Sequence, residues 1–246
     1  MRTLWMIVLL MLTSSTFAAD AADYAREKKW ADEVVPGVVV GDPIYLEQPN
    51  GHKFLTLYTP AKDARAALVI VHGMGIHPDW GLIGVLRSQL PDRGYTTLSV
   101  QMPVLDNAAK AAAYTATLPE AAQRLKLAVD FLKAKGYANI GFVSHSMGSR
   151  MSYEYLSARP DPAVKAWVAI GIPIRADYRK VNMPVLDLYG QNDLPDVLNN
   201  AAARKATLQG KPGSEQMQVA RADHFFTDMD SQLVDIVATY LNQQFK

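Results

Sequence analysis

Ser144-His145-Ser146-Met147-Gly148 stands between the apolar run Ile140-Gly141-Phe142-Val143 and a helix-like run over 150–159, and its reading decides the fold. The pentapeptide is one residue away from the G-x-S-x-G pattern, in which a serine rides a tight strand-to-helix turn. Such a turn pushes the hydroxyl out of the sheet and aims the next backbone N–H at a developing oxyanion. Ser144 occupies the place where the pattern has glycine. Serine is the next smallest polar side chain, so the turn is expected to survive with minor strain. Ser144 itself would sit back in the strand, which leaves Ser146 as the candidate nucleophile.

Working outward, the chain alternates between strand and helix signals. Ile44–Glu47 and Phe54–Tyr58 flank Pro49-Asn50-Gly51, and Asn-Gly between two β-like runs predicts a hairpin. Ala67–Val71 is continuously apolar, as befits a central strand covered on both faces. A helix is expected over Trp80–Leu90 and a strand over Thr96–Val100. The next helix, Leu118–Lys135, has Thr117 and Glu120 in capping-box spacing and Leu125, Val129 and Leu132 on one face. Further strands are expected at Ala166–Ile170, Val185–Tyr189 and Gln216–Val219. Leu233, Ile236, Val237, Tyr240 and Leu241 then carry the spacing of a closing amphipathic helix. This alternation predicts an α/β domain, its sheet mostly parallel with helices on both faces and an antiparallel N-terminal hairpin. In such sheets ligands bind at the carboxyl ends of the strands.

Composition narrows the class. With 49% hydrophobic residues, 20% charged residues and a formal charge of +1, the 246-residue chain reads as one globular domain without a nucleic-acid-binding patch. Residues 1–19 have the layout of a secretory signal peptide: Arg2, the apolar run Leu4–Leu12, then small residues for cleavage after Ala18, Ala19 or Ala21. The apolar run is too short to span a bilayer as a helix, so no stable membrane anchor is expected in the mature chain. Residues 20–42 read as a polar, partly helical leader and 43–246 as the domain. There is no cysteine, hence no disulfide, no lipidated N-terminus and no thiol nucleophile. A periplasmic or secreted protein follows.

A serine hydroxyl needs an adjacent base, usually a histidine oriented by a carboxylate. Of the five histidines only His224 follows Ser146, directly after the last expected strand. Asp193 ends the turn Gly190-Gln191-Asn192-Asp193 and is the first choice of acid, with Asp196 as the fallback. Asp187 lies inside a strand, where a buried carboxylate suits structure better than catalysis. The order Ser146, Asp193, His224 is that expected of the elbow. His72-Gly73-Met74-Gly75 follows the first central strand and can supply a second oxyanion donor. The backbone N–H groups of Met74 and Met147 are assigned that role. His77, Trp80 and Tyr114 are candidates for a substrate pocket. His72 is expected to brace the loop by hydrogen bonding and His145 to be structural. His72, His77 and Asp79 lack the further ligands of a metal site, and no cofactor is implied. The interval 175–183 is too short for a cap domain, leaving 106–117 as the candidate flap.

Taken in order, the H-G-x-G loop, the serine elbow, the G-x-x-D turn and the late D-H resemble the α/β-hydrolase superfamily from about Pro43 onward. More narrowly, Val71–Trp80 together with Val100–Leu105 resembles a family of uncharacterised exported proteins of Gram-negative bacteria. The resemblance implies an α/β-hydrolase fold without a large cap domain and a serine hydrolase acting on a small-molecule ester, with thioesters or amides as related substrates. A different class, a non-catalytic envelope-associated binding protein on the same fold, stands beside it because fold does not fix function. Haloperoxidase-like or lyase chemistry on the same three residues is a third reading.

Overall fold

The computed structural model describes residues 22–158 and 160–246, so the expected signal peptide lies outside the described residues. Helix α1 (Tyr24–Val34) precedes the hairpin of β1 (Asp42–Glu47) and β2 (Lys53–Thr59). Alternation begins with β3 (Ala66–Val71), α2 (Gly81–Gln89) and β4 (Tyr95–Val100), then α3 (Leu118–Ala134), β5 (Ile140–His145) and α4 (Met147–Ser157). It closes with β6 (Val164–Ile170), β7 (Val185–Asn192), α5 (Pro195–Thr207), β8 (Glu215–Asp223) and α6 (Asp230–Gln244).

The eight strands form one sheet in the order β1-β2-β4-β3-β5-β6-β7-β8. β1 pairs with β2, and β2 with β4, antiparallel; the remaining pairs are parallel. All six residues of β3 are buried, which explains its unbroken apolar run. The chain leaves β3 to one side for β4 and returns to its other side for β5. That reversal opens a crevice at the carboxyl ends of β3 and β5, where Val71 is paired with Ser144. The loop 72–75 and Ser146 emerge there.

Each face of the sheet carries its own core. Leu125, Val129 and Leu132 of α3 and Met151 and Leu156 of α4 pack on one face with Phe142 and Trp167. Ile83 and Leu86 of α2 and Leu233, Val237 and Leu241 of α6 pack on the other with Ile70, Val143 and Leu188. The expected capping box does not form. Thr117 Oγ1 donates to Tyr114 O instead, while Glu120 accepts from Arg124 and from the Tyr24 hydroxyl. Helix α5 carried too little apolar periodicity to be anticipated. Its buried side is Val197, Ala201 and Arg204, and Arg204 pairs with the buried Asp187 at 2.9 Å.

The described part of the expected leader, residues 22–42, includes a helix. Helix α1 lies on the sheet through Ala31 against Leu55 and Leu57, and it inserts Glu27 beside Arg124 of α3. Arg124 Nη1 and Nη2 reach the two Glu27 oxygens at 2.9 and 3.1 Å, Nη1 also donates to Gln101 O, and Nε donates to Gln48 Oε1. Both side chains are almost fully buried. Removing one partner strands the other charge without solvent, a loss of about 3–5 kcal/mol. Arg124→Met should therefore lower the unfolding free energy by about that amount, whereas Glu27→Gln/Arg124→Met should recover part of it. Chemical denaturation of the two variants beside the parent checks both statements.

Candidate active site

Three loops converge at the crevice. Ser146 has φ 56° and ψ −123°, a conformation that few non-glycine residues adopt and that costs about 1–3 kcal/mol. Its neighbours hold it there. Ser146 N–H donates to Ile170 O of β6 at 2.8 Å, and Ser146 O accepts from Ser149 N–H at 2.9 Å, starting α4. Gly148 lets the helix start abut the end of β3, since a Cβ at this position would lie 2.2 Å from His72 O. Ser144 is fully buried without a clash. Its Oγ accepts from Trp167 Nε1 at 2.8 Å and donates to Ser149 Oγ, so the departure from glycine is absorbed by a polar contact.

Ser146 Oγ lies 2.9 Å from His224 Nε2, and His224 Nδ1 lies 2.6 Å from Asp193 Oδ1. Asp193 also accepts from the N–H groups of Gly190 and Leu194. Burial opposes its charge, but the bond from His224 and the two backbone donors outweigh it and hold the carboxyl below its usual range. Asp196, the fallback, is in the first turn of α5, where its backbone carbonyl accepts from Asn200 Nδ2. Space for the imidazole comes from Gly171 at φ +56°, where a Cβ would sit 3.0 Å from two atoms of the His224 ring. Nothing local in the sequence marks Gly171, because its need arises from a loop 53 residues later.

The loop after β3 is held by its own histidine. His72 Nε2 accepts from Met102 N–H at 2.9 Å, so the ring proton resides on Nδ1 and is donated to Gly73 O at 2.8 Å. Gly73 O and Met74 N–H belong to one planar trans peptide and point in opposite directions. Fixing the carbonyl thus fixes the direction of the Met74 N–H, which makes no backbone hydrogen bond among the described residues. Gly73 is close enough to Ser146 that a Cβ on it would lie 3.2 Å from the serine Cβ. Met147, first in α4, has an N–H with no intrahelical acceptor. The loop after β3 thus lies beside Ser146, and Met147 N–H stands next to it in the chain. The far end of the loop is tied to α1, where Arg26 donates to Gly75 O and stacks over Trp30 at 4.3 Å.

The other expected residues divide. Trp80 is part-exposed at the start of α2 and meets Phe225 edge to face, with centroids 5.5 Å apart. His77 packs edge-on against Trp30 of α1, and its Nδ1 accepts from Asp79 N–H. Tyr114, expected at the pocket wall, is buried in the core, where its hydroxyl accepts from Leu105 N–H. A buried tyrosine turns inward when its hydroxyl finds such a donor. That anchor also pins the segment 106–117, which forms turns tied to α4 through Arg150 and Thr115. His145 is buried, and its Nε2 donates to His224 O at 2.9 Å, bracing the loop that carries the base.

A dienelactone hydrolase from Anabaena variabilis superposes with TM-score 0.66 at 19% identity over 83% of this chain and 99% of its own. Est1E from Butyrivibrio proteoclasticus gives 0.68 at 15% over 82% and 98%. XC6422 from Xanthomonas campestris, described as an α/β serine hydrolase without lid, gives 0.66 at 15% over 85% and 96%. The chain has the α/β-hydrolase fold. The family described as a protein of unknown function (DUF3530) matches residues 41–123, the part that holds β2, β3, the H-G-x-G loop and β4. No curated protein matches the sequence. In α/β-hydrolase terms, the described residues contain no inserted domain over the carboxyl ends of the strands.

Burial lowers both His72 and His145 from 6.5 to about 3. Each remains neutral in the folded chain where the unfolded chain would bind a proton. Their stabilisation is present above the unfolded value and is lost as pH falls from about 6.5 toward 3. Each histidine adds a slope of about 1.4 kcal/mol per pH unit in that window. His145→Asn should show a shallower acid loss of stability than the parent between pH 6 and 4, read from denaturation midpoints.

Proposed function

We propose that this protein is an exported serine hydrolase that cleaves carboxylic esters through an acyl-enzyme. The observation that carries the proposal is the continuous hydrogen-bonded line from Asp193 through His224 to Ser146, 2.6 and 2.9 Å in its two steps, ending on a serine at the head of a helix. His224 donates Nδ1–H to the Asp193 carboxylate, which leaves Nε2 as the acceptor of the serine proton. Ser146 Oγ attacks the ester carbonyl as His224 takes that proton. Negative charge gathers on the carbonyl oxygen, where Met74 and Met147 N–H groups are available to receive it. Each such donor contributes roughly 3–4 kcal/mol to the transition state.

Collapse of the tetrahedral intermediate breaks the bond to the alcohol, which leaves with the proton carried by His224. Water then gives a proton to His224 as its oxygen bonds to the acyl carbon. The acyl–Oγ bond breaks as His224 returns the proton to Ser146 Oγ and the acid leaves. No group beyond the chain and water is required for the balance. The neighbours of the same fold include an esterase from Pyrococcus furiosus and an esterase domain from Rhodothermus marinus, which is consistent with ester chemistry. Export is supported by the signal-peptide layout of residues 1–19.

A small fluorophosphonate should add once to the purified mature protein, on Ser146, and not to Ser146→Ala. Asp193→Asn should keep the fold while reducing kcat by about 10⁴, because the wrong imidazole tautomer is then favoured. Turnover retained in Ser146→Ala, or a folded parent that takes no adduct, would overturn the assignment.

A further inference from the structure

Seven large hydrophobic side chains are exposed among the described residues, and four of them, Met74, Trp80, Leu194 and Phe225, lie on the loops that carry the site. Leu194 follows Asp193, and Phe225 follows His224. Exposed aromatics of this kind cost solvation and ordinarily turn inward or mark a contact surface. Phe225 stands out because its loop is hydrogen-bonded on itself. Asp223 accepts from Phe225 N–H, Thr227 N–H and the Thr227 hydroxyl, while Phe226 is buried beneath it. The outward aromatic is therefore held in place before any ligand arrives, which reduces the ordering cost of binding.

Its position relates it to one part of the reaction. The Phe225 ring lies edge to face with His224, centroids 5.1 Å apart, and Trp80 extends the same surface at 5.5 Å. In the acyl-enzyme route His224 must deliver a proton to the leaving oxygen, so the first atoms of the alcohol lie within hydrogen-bond reach of Nε2. A group attached to those atoms passes beside Phe225 and onto Trp80. We propose that Trp80 and Phe225 form a leaving-group subsite, and that the natural ester has an aromatic or similarly flat apolar alcohol portion. The inference rests on the hydrolase reading above and adds the side of the ester on which selectivity resides.

The ledge works on acylation alone. Once the alcohol has left, water occupies its place and the acyl-enzyme is the same whatever the alcohol was. Benzyl acetate and ethyl acetate share the acetyl group and have leaving alcohols of similar basicity, so their kcat/KM ratio isolates recognition of the alcohol. The parent should favour the benzyl ester about tenfold or more, the scale on which apolar contacts discriminate substrates. In Phe225→Ala and Trp80→Ala the ratio should fall to within about twofold of unity, with Phe225→Leu intermediate. A merely structural role would slow both esters together and leave the ratio alone. A ratio near unity in the parent, or one retained in both alanine variants, would overturn the subsite. Turnover of neither ester, with no phosphonate adduct on Ser146, would instead be failure of the hydrolase reading and would take the subsite with it.

Discussion

The backbone of Ser146 is the constraint on which the rest depends. A serine at φ 56° is unfavourable by itself, and it persists because three elements meet around it. Ile170 O of β6 takes its N–H, α4 begins at its carbonyl, and the glycine two residues later allows that helix to touch the carbonyl end of β3. The same contact places the loop after β3 beside the serine. The strained residue and the loop beside it are thus products of one packing arrangement.

Polar groups inside the protein serve this arrangement by holding loops. His72 directs a single peptide unit, and its proton location is dictated by Met102 N–H on the other side of the ring. His145 grips the carbonyl of His224. Arg26 reaches from the first helix to Gly75, and that helix is secured by the buried Glu27–Arg124 pair. Each of these groups has a named partner, while His145 Nδ1 is buried without one among the described residues. The loops at the sheet edge are consequently braced from several sides, although no domain among the described residues covers them.

Much of this could be read from the chain. The hairpin at Asn50-Gly51, the buried strand at 66–71 and the amphipathic closing helix depend on local periodicity and turn chemistry, and all three occur at about the expected positions. Helix α5 carries no such signal, because its inward side is Val197, Ala201 and a paired arginine rather than a full apolar stripe. The capping box at Thr117 failed for a related reason: Glu120 had a stronger partner in Arg124 than in the helix start. Local motifs predict what a segment can do, and distant charges decide which option is taken.

The same division separates the parts of the site. The sequence by itself determined the linear order Ser146, Asp193, His224 and the loop His72–Gly75, because strand–turn–helix signals locate the ends of strands where such residues must stand. Tertiary structure alone decided which way the side chains face. Tyr114 turned into the core to meet Leu105 N–H, and Gly171 was needed to clear the imidazole. Phe226 went inward so that Phe225 remained outside. Arg124 drew in a glutamate 97 positions away. Facing depends on contacts between residues far apart in the chain, and no periodicity within one segment encodes them.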